Sequence, residues 1–191
     1  MHTERFSISK ETLQSLCSHL SSSSSPSKIK SKHVGRTATN VVAVGTTTVR
    51  SLETAYWLGL LLLNDPSSKL RLTLGQWEPY DIVRDVYKND WNRLPSPSAC
   101  FEALLEHSRK HGMEELTGTT SIMIMPGYQC QVVNQLITNF HAPKTTLMLL
   151  VASFAGSPST SGDIHSGKDS IDLGRQKVLT AYKQAVKHKF R

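Results

Sequence analysis

Cysteine, long apolar runs and ligand-binding signatures are all sparse in this chain, and each shortage excludes something. The three cysteines, Cys17, Cys100 and Cys130, lie far apart with no paired spacing. They fit buried or neutral thiols in a reducing compartment better than a disulfide framework or a zinc knuckle. No apolar run reaches the roughly 18 residues that span a bilayer. "YWLGLLLL" (Tyr56–Leu63) is too short and reads as a buried helix end. The opening "MHTERFSISKE" has no apolar core of a secretory signal and carries acids, unlike a transit peptide. No GxGxxG is present, and no phosphate loop with its second glycine and lysine. His107 and His111 share a helix face, but no third metal ligand accompanies them. They read as solvated surface histidines, and no metal site is expected.

Acid is short at both ends. The net charge of +7 divides into +4 over residues 1–40, −2 over 41–116 and +5 over 117–191. The closing "RQKVLTAYKQAVKHKFR" has six basic residues and no acid. Such a balance favours an anionic partner such as RNA. From charge alone, a solvated basic helix serves equally well. Aromatics are not interleaved with the basic residues as in a base-stacking platform.

What is present reads as one α/β domain over residues 1–191. Ser9 caps a helix that places Leu13, Leu16 and Leu20 on one face. Residues 21–40 form a serine-rich basic loop. "VVAVG" (Val41–Gly45) has the signature of a buried strand, and the helix after it is capped by Thr46 or Thr47. Residues 64–97 form an irregular insertion with a short strand at "LRLTL". "SACFEALLEHSRKHG" is a second amphipathic helix, capped by Ser98 and stopped at Gly112. "TSIMIM" and "CQVVNQLITNF" are strands separated by the turn "PGYQ". "PKTTLMLLVASFAG" is a buried helix with Pro143 in its first turn and Gly156 just past its end. Residues 157–174 are a polar linker before a basic C-terminal helix.

Two junctions can carry chemistry. In "VVAVGTTTVRSLE", Gly45, Thr46 and Thr47 stand between a strand and a helix, where backbone N–H groups meet anions. Arg50 and Glu53 follow on one helix face, as a structural pair or as ligand contacts. In "ITNFHAPKTT", Asn139 both donates and accepts, and His141 can move a proton near neutral pH. Lys144 follows on the helix start. Strand-to-helix junctions are the usual ligand sites of open α/β sheets. The competing reading makes Asn139 and His141 partners of backbone groups around Pro143.

"VVAVGTTTVRSLETA", "IMPGYQCQVVNQLITNFHAPKTTLMLLVASFAG", "AYKQAVKHKFR" and the opening "MHTERFSISKETLQSL" occur in that family's order in the S-adenosylmethionine:tRNA ribosyltransferase-isomerase (QueA) family, which this chain resembles. The resemblance implies a partial QueA-like α/β domain, the C-terminal portion only, lacking the N-terminal half and the inserted β-barrel. It implies transfer and isomerisation of the ribosyl unit of S-adenosylmethionine onto 7-aminomethyl-7-deazaguanine in tRNA. Epoxyqueuosine forms, and adenine and methionine leave. No cofactor is implied, because S-adenosylmethionine is a substrate. The expected partners are tRNA, S-adenosylmethionine and a chain supplying the missing half, with no membrane. The cytoplasm is the expected compartment, with an organelle as the alternative.

By the same resemblance His141, Asn139 and Glu53 are catalytic, with His141 moving the proton. Gly45, Thr46, Thr47, Arg50, Tyr128 and Lys144 bind substrate, and Tyr128 stacks on a base. The chain departs from the pattern at Asn134, where an aspartate is usual. The alternative class is a non-catalytic RNA-binding remnant of that enzyme. A generic nucleotide-phosphate enzyme is disfavoured by the missing phosphate loop.

Overall fold

Among the described residues two small sheets lie against six helices, a mixed α/β arrangement. The computed structural model describes residues 2–22, 40–66, 71–142, 145–156 and 167–189. The expected serine-rich loop falls almost wholly outside these residues, as do Pro143 and Lys144.

The chain opens with β1 (Glu4–Ser9) and α1 (Lys10–Ser21). Ser9 caps α1, its hydroxyl accepting from Thr12 N, and Leu13 and Leu20 are buried. β2 (Val42–Val44) leads into α2 (Thr46–Asn64), whose residues from Glu53 to Leu60 are buried around the whole helix. A helix buried on all sides is the core of its domain. Then follow β3 (Thr73–Leu74), α3 (Glu78–Asp85), a 3-10 turn at Trp91–Arg93 and α4 (Pro97–Lys110). α2 and α4 cross in backbone contact. A Cβ on Gly59 would fall 2.2 Å from Cys100 O.

β4 (Glu115–Thr120) is the middle strand of the first sheet, antiparallel to β1 and parallel to β3. β5 (Gln135–Ile137) runs parallel to β2, with Val42 opposite Gln135 and Val44 opposite Ile137. α5 (Thr146–Gly156) and α6 (Gly167–Lys187) complete the chain. No helix among the described residues is long and apolar enough to cross a membrane.

Several local expectations are corrected. α4 is capped by Ser96, not Ser98, because Pro97 fixes the first helical residue and keeps its predecessor extended. Neither Thr46 nor Thr47 caps α2. Gly45, at φ +89°, is the cap residue, and Thr48 turns its hydroxyl back onto Val44 O. β2 is not buried on both faces: Ala43 is covered, but Val42 and Val44 are 46% and 68% exposed. Among the described residues nothing covers the side that Val42 and Val44 face.

Residues 121–125 are not a strand, although Ser121 N and Met123 N still donate to Leu74 O and Gln76 O. Beyond them the Tyr80 hydroxyl takes over, donating to Met123 O and accepting from Met125 N. The expected strand "CQVVNQLITNF" shrinks to Gln135–Ile137, because the N–H groups of residues 131–133 point at the Glu53 carboxylate. The expected irregular stretch 64–97 contains, besides β3 within the strand expected at "LRLTL", α3 and the 3-10 turn. α6 begins at Gly167, inside the stretch read as linker.

Candidate active site

The two chemistry-bearing junctions, about ninety residues apart in sequence, meet at the carboxyl ends of β2 and β5. Gly45 N donates to Ile137 O at 2.8 Å, carrying the parallel ladder one residue past β2. From there one chain enters α2 through Thr46 and Thr47, and the other runs through Thr138, Asn139, Phe140 and His141. Ligands of open α/β sheets sit at this end of the strands.

Each side has open polar groups. The α2 N-terminus has no side-chain cap and no acidic residue in its first turn, so its partial positive charge is uncompensated locally. Thr46 is buried, while Thr47 and Asn139 are exposed. Phe140 is 49% exposed, a large apolar ring left at a surface corner. His141 is half-buried, with its Nε2 3.0 Å from Thr138 Oγ1. Its backbone N–H donates to the Tyr182 hydroxyl on α6, and the Tyr182 ring meets Phe140 edge-on at 4.8 Å. An imidazole, a carboxamide, hydroxyls and a helix N-terminus at one corner can bind an anion and move a proton.

Arg50, Glu53 and Tyr128 are not at this corner. Glu53 is fully buried on α2, one carboxylate oxygen accepting from Val132 N (2.9 Å) and Val133 N (3.1 Å). The other accepts from Gln131 N and the Tyr128 hydroxyl, each at 2.9 Å. Trp57 Nε1 donates to the same hydroxyl at 2.8 Å. Burial pushes the Glu53 pKa up, against the pull of the backbone and tyrosine donors. Burial, followed by the Glu53 charge, also holds the Tyr128 phenol well above its ordinary value. The Tyr128 ring is packed edge-on against Tyr80 and Trp91, which leaves no open face for a base.

Arg50 is also fully buried. Its Nη1 lies 2.6 Å from Glu4 Oε1, a charge contact without hydrogen-bond angles. Nε donates to Ile122 O, and Nη2 to His2 O and Thr120 O. Burial lowers its pKa, and the Glu4 charge raises it in return. This cation ties β1 to the end of β4.

Asn134, where an aspartate was the expected residue, works at the other end of β2. Its Oδ1 accepts from Val41 N at 2.9 Å, while its own N–H donates to Val41 O at 3.0 Å. An open groove between α1 and Asn40–Val41 also lies at that amino end, away from the His141 corner. Among the described residues no group of three or more His, Cys, Asp or Glu is placed to hold a metal ion. Thr138 and Tyr182 were missed from sequence. The available signal was a lone tyrosine within the closing basic helix.

Both junctions lie within a stretch that resembles known proteins. A family model described as queuosine biosynthesis protein matches residues 1–164. An S-adenosylmethionine:tRNA ribosyltransferase-isomerase of Halothermothrix orenii is 39% identical over 82 residues, 43% of this chain and 19% of that protein. One of Clostridium kluyveri is 42% identical over 79 residues, 41% of this chain and 18% of that protein. The aligned stretch thus spans under a fifth of these curated relatives. No solved structure matches the chain.

Proposed function

The chain belongs to the queuosine biosynthesis protein family, and on that premise we propose that it acts in tRNA modification as an S-adenosylmethionine:tRNA ribosyltransferase-isomerase. The ribosyl unit of S-adenosylmethionine passes to 7-aminomethyl-7-deazaguanine in tRNA and isomerises to epoxyqueuosine, with adenine and methionine released. The observation that carries this reading is the meeting of Gly45–Thr47 with Thr138–His141 at one end of two parallel strands. The uncapped α2 N-terminus suits the donor's carboxylate. His141 and Asn139 supply proton transfer and hydrogen bonding at the reacting sugar.

In this reading Glu53 and Arg50 act at one remove: they fix loop 128–133 and the amino end of the described chain, as the four donors around Glu53 and the Arg50 bonds to His2, Thr120 and Ile122 support. The exposed lysines of α6, among them Lys177, Lys183 and Lys187, meet the RNA backbone. Further polypeptide, from this chain or a partner, covers the exposed row Val42, Val44 and Ile137, since parallel sheets are normally buried on both faces.

A second reading, a non-catalytic RNA-binding relative, is favoured by one observation: Arg50, Glu53 and Tyr128 all face protein. Turnover of S-adenosylmethionine to adenine on a tRNA carrying the deazaguanine base separates the two. Adenine release lost in His141→Ala supports the enzyme. RNA binding with neither donor binding nor adenine release supports the second reading.

A further inference from the structure

Helix α6 lies beyond the residues that the family model matches, yet it reaches the candidate site. It is docked by close approach: a Cβ on Gly174 would sit 2.3 Å from Ala152 O on α5. Val178 and Ala185 are buried further along the helix, and the half-buried Tyr182 lies between them. Its hydroxyl accepts the N–H of His141, and its ring edge packs on Phe140. On the other side of the same residue, Thr138 Oγ1 meets His141 Nε2. His141 is therefore held twice, by the backbone from α6 and by the ring from the end of β5.

We propose that Tyr182 is a positioning residue for His141, which makes α6 part of the active corner. The ring alone would satisfy the packing, since phenylalanine would present the same edge to Phe140. The hydroxyl adds something packing does not need, a fixed acceptor that sets where the His141 backbone sits. A His141 placed in this way has a defined imidazole direction, because its Nε2 is already engaged by Thr138. The same helix carries the exposed Lys183 and Lys187 within about two turns of Tyr182. A polyanion seated on those lysines would then be in fixed register with the imidazole. The catalytic meaning of this contact rests on the function proposed above, but the contact itself does not.

The test is Tyr182→Phe in the whole chain, read by NMR and by titration with S-adenosylmethionine. Amide exchange at His141 should rise about fivefold, the net worth of one hydrogen bond, with α5 amides unchanged. The His141 imidazole resonances should shift, and donor affinity should fall. Tyr182→Leu, which also loses the ring edge, should do at least as much. A folded Tyr182→Phe chain with His141 exchange and imidazole resonances equal to wild type overturns the proposal. Failure of the wild type to bind S-adenosylmethionine sinks the proposed function, and the exchange measurement still decides the role of Tyr182.

Discussion

The Glu53 network and the His141 corner use similar residue types to opposite ends. Around Glu53, each carboxylate oxygen has two donors, and water is excluded. At the strand ends, Asn139 is exposed, the α2 N-terminus is uncapped, and a phenylalanine ring faces solvent. A polar group whose bonds are all satisfied inside the protein contributes order, whereas one left open is available to a ligand. Both regions lie within the same matched family segment, so family membership alone does not separate scaffold from chemistry. Burial and hydrogen-bond satisfaction do.

The largest expected effect comes from breaking the closed region. Glu53→Ala strands buried N–H groups of residues 132 and 133 and the Tyr128 hydroxyl, and should cost about 3–5 kcal/mol in urea unfolding. A loss below about 1 kcal/mol would mean the network is dispensable. Gly59→Ala comes next. Its methyl would lie 2.2 Å from Cys100 O, so α2 and α4 must separate. A drop of about 1–3 kcal/mol is expected from overpacking, read as a lower melting temperature.

Lysine substitutions move binding without moving stability. Lys183→Ala with Lys187→Ala should keep stability within about 0.5 kcal/mol. The same pair should lower the salt slope of tRNA binding by roughly one per lysine. An unchanged slope would remove α6 from the RNA interface.

The smallest effect is a pH dependence. Burial raises the Glu53 pKa above its ordinary 4.5, so folding favours the protonated form. That contribution is full below 4.5 and declines as pH rises through the raised folded value. The stability of wild type relative to Glu53→Gln should therefore shrink over the pH window that opens above 4.5. A difference that grows over that window would show the donors outweighing burial.

Local signals carried most of what sequence revealed. Ser9 and the Leu13–Leu20 spacing gave α1 with its cap, and the glycine after "VVAV" marked the turn into α2. Both junctions of the candidate site were legible as strand-to-helix boundaries, and their meeting followed from parallel pairing. Long-range polar contacts were not legible. The Glu53 carboxylate draws the N–H groups of residues 131–133 out of a strand-like run, across nearly eighty residues of sequence. The Tyr80 hydroxyl likewise captures the Met125 N–H while donating to Met123 O. Apolar periodicity carries no record of a donor captured from elsewhere in the chain. Tyr182 was hidden for the same reason, since only tertiary packing brings it to His141.

The most direct test of the open corner as a donor site is calorimetric titration of the purified chain with S-adenosylmethionine, beside His141→Ala and Asn139→Ala. The account predicts saturable binding by wild type, weakened about tenfold or more in each variant, a loss of about 1.4 kcal/mol, with unfolding unchanged. A folded wild-type chain that takes up no S-adenosylmethionine, or variants that bind it equally well, would contradict it.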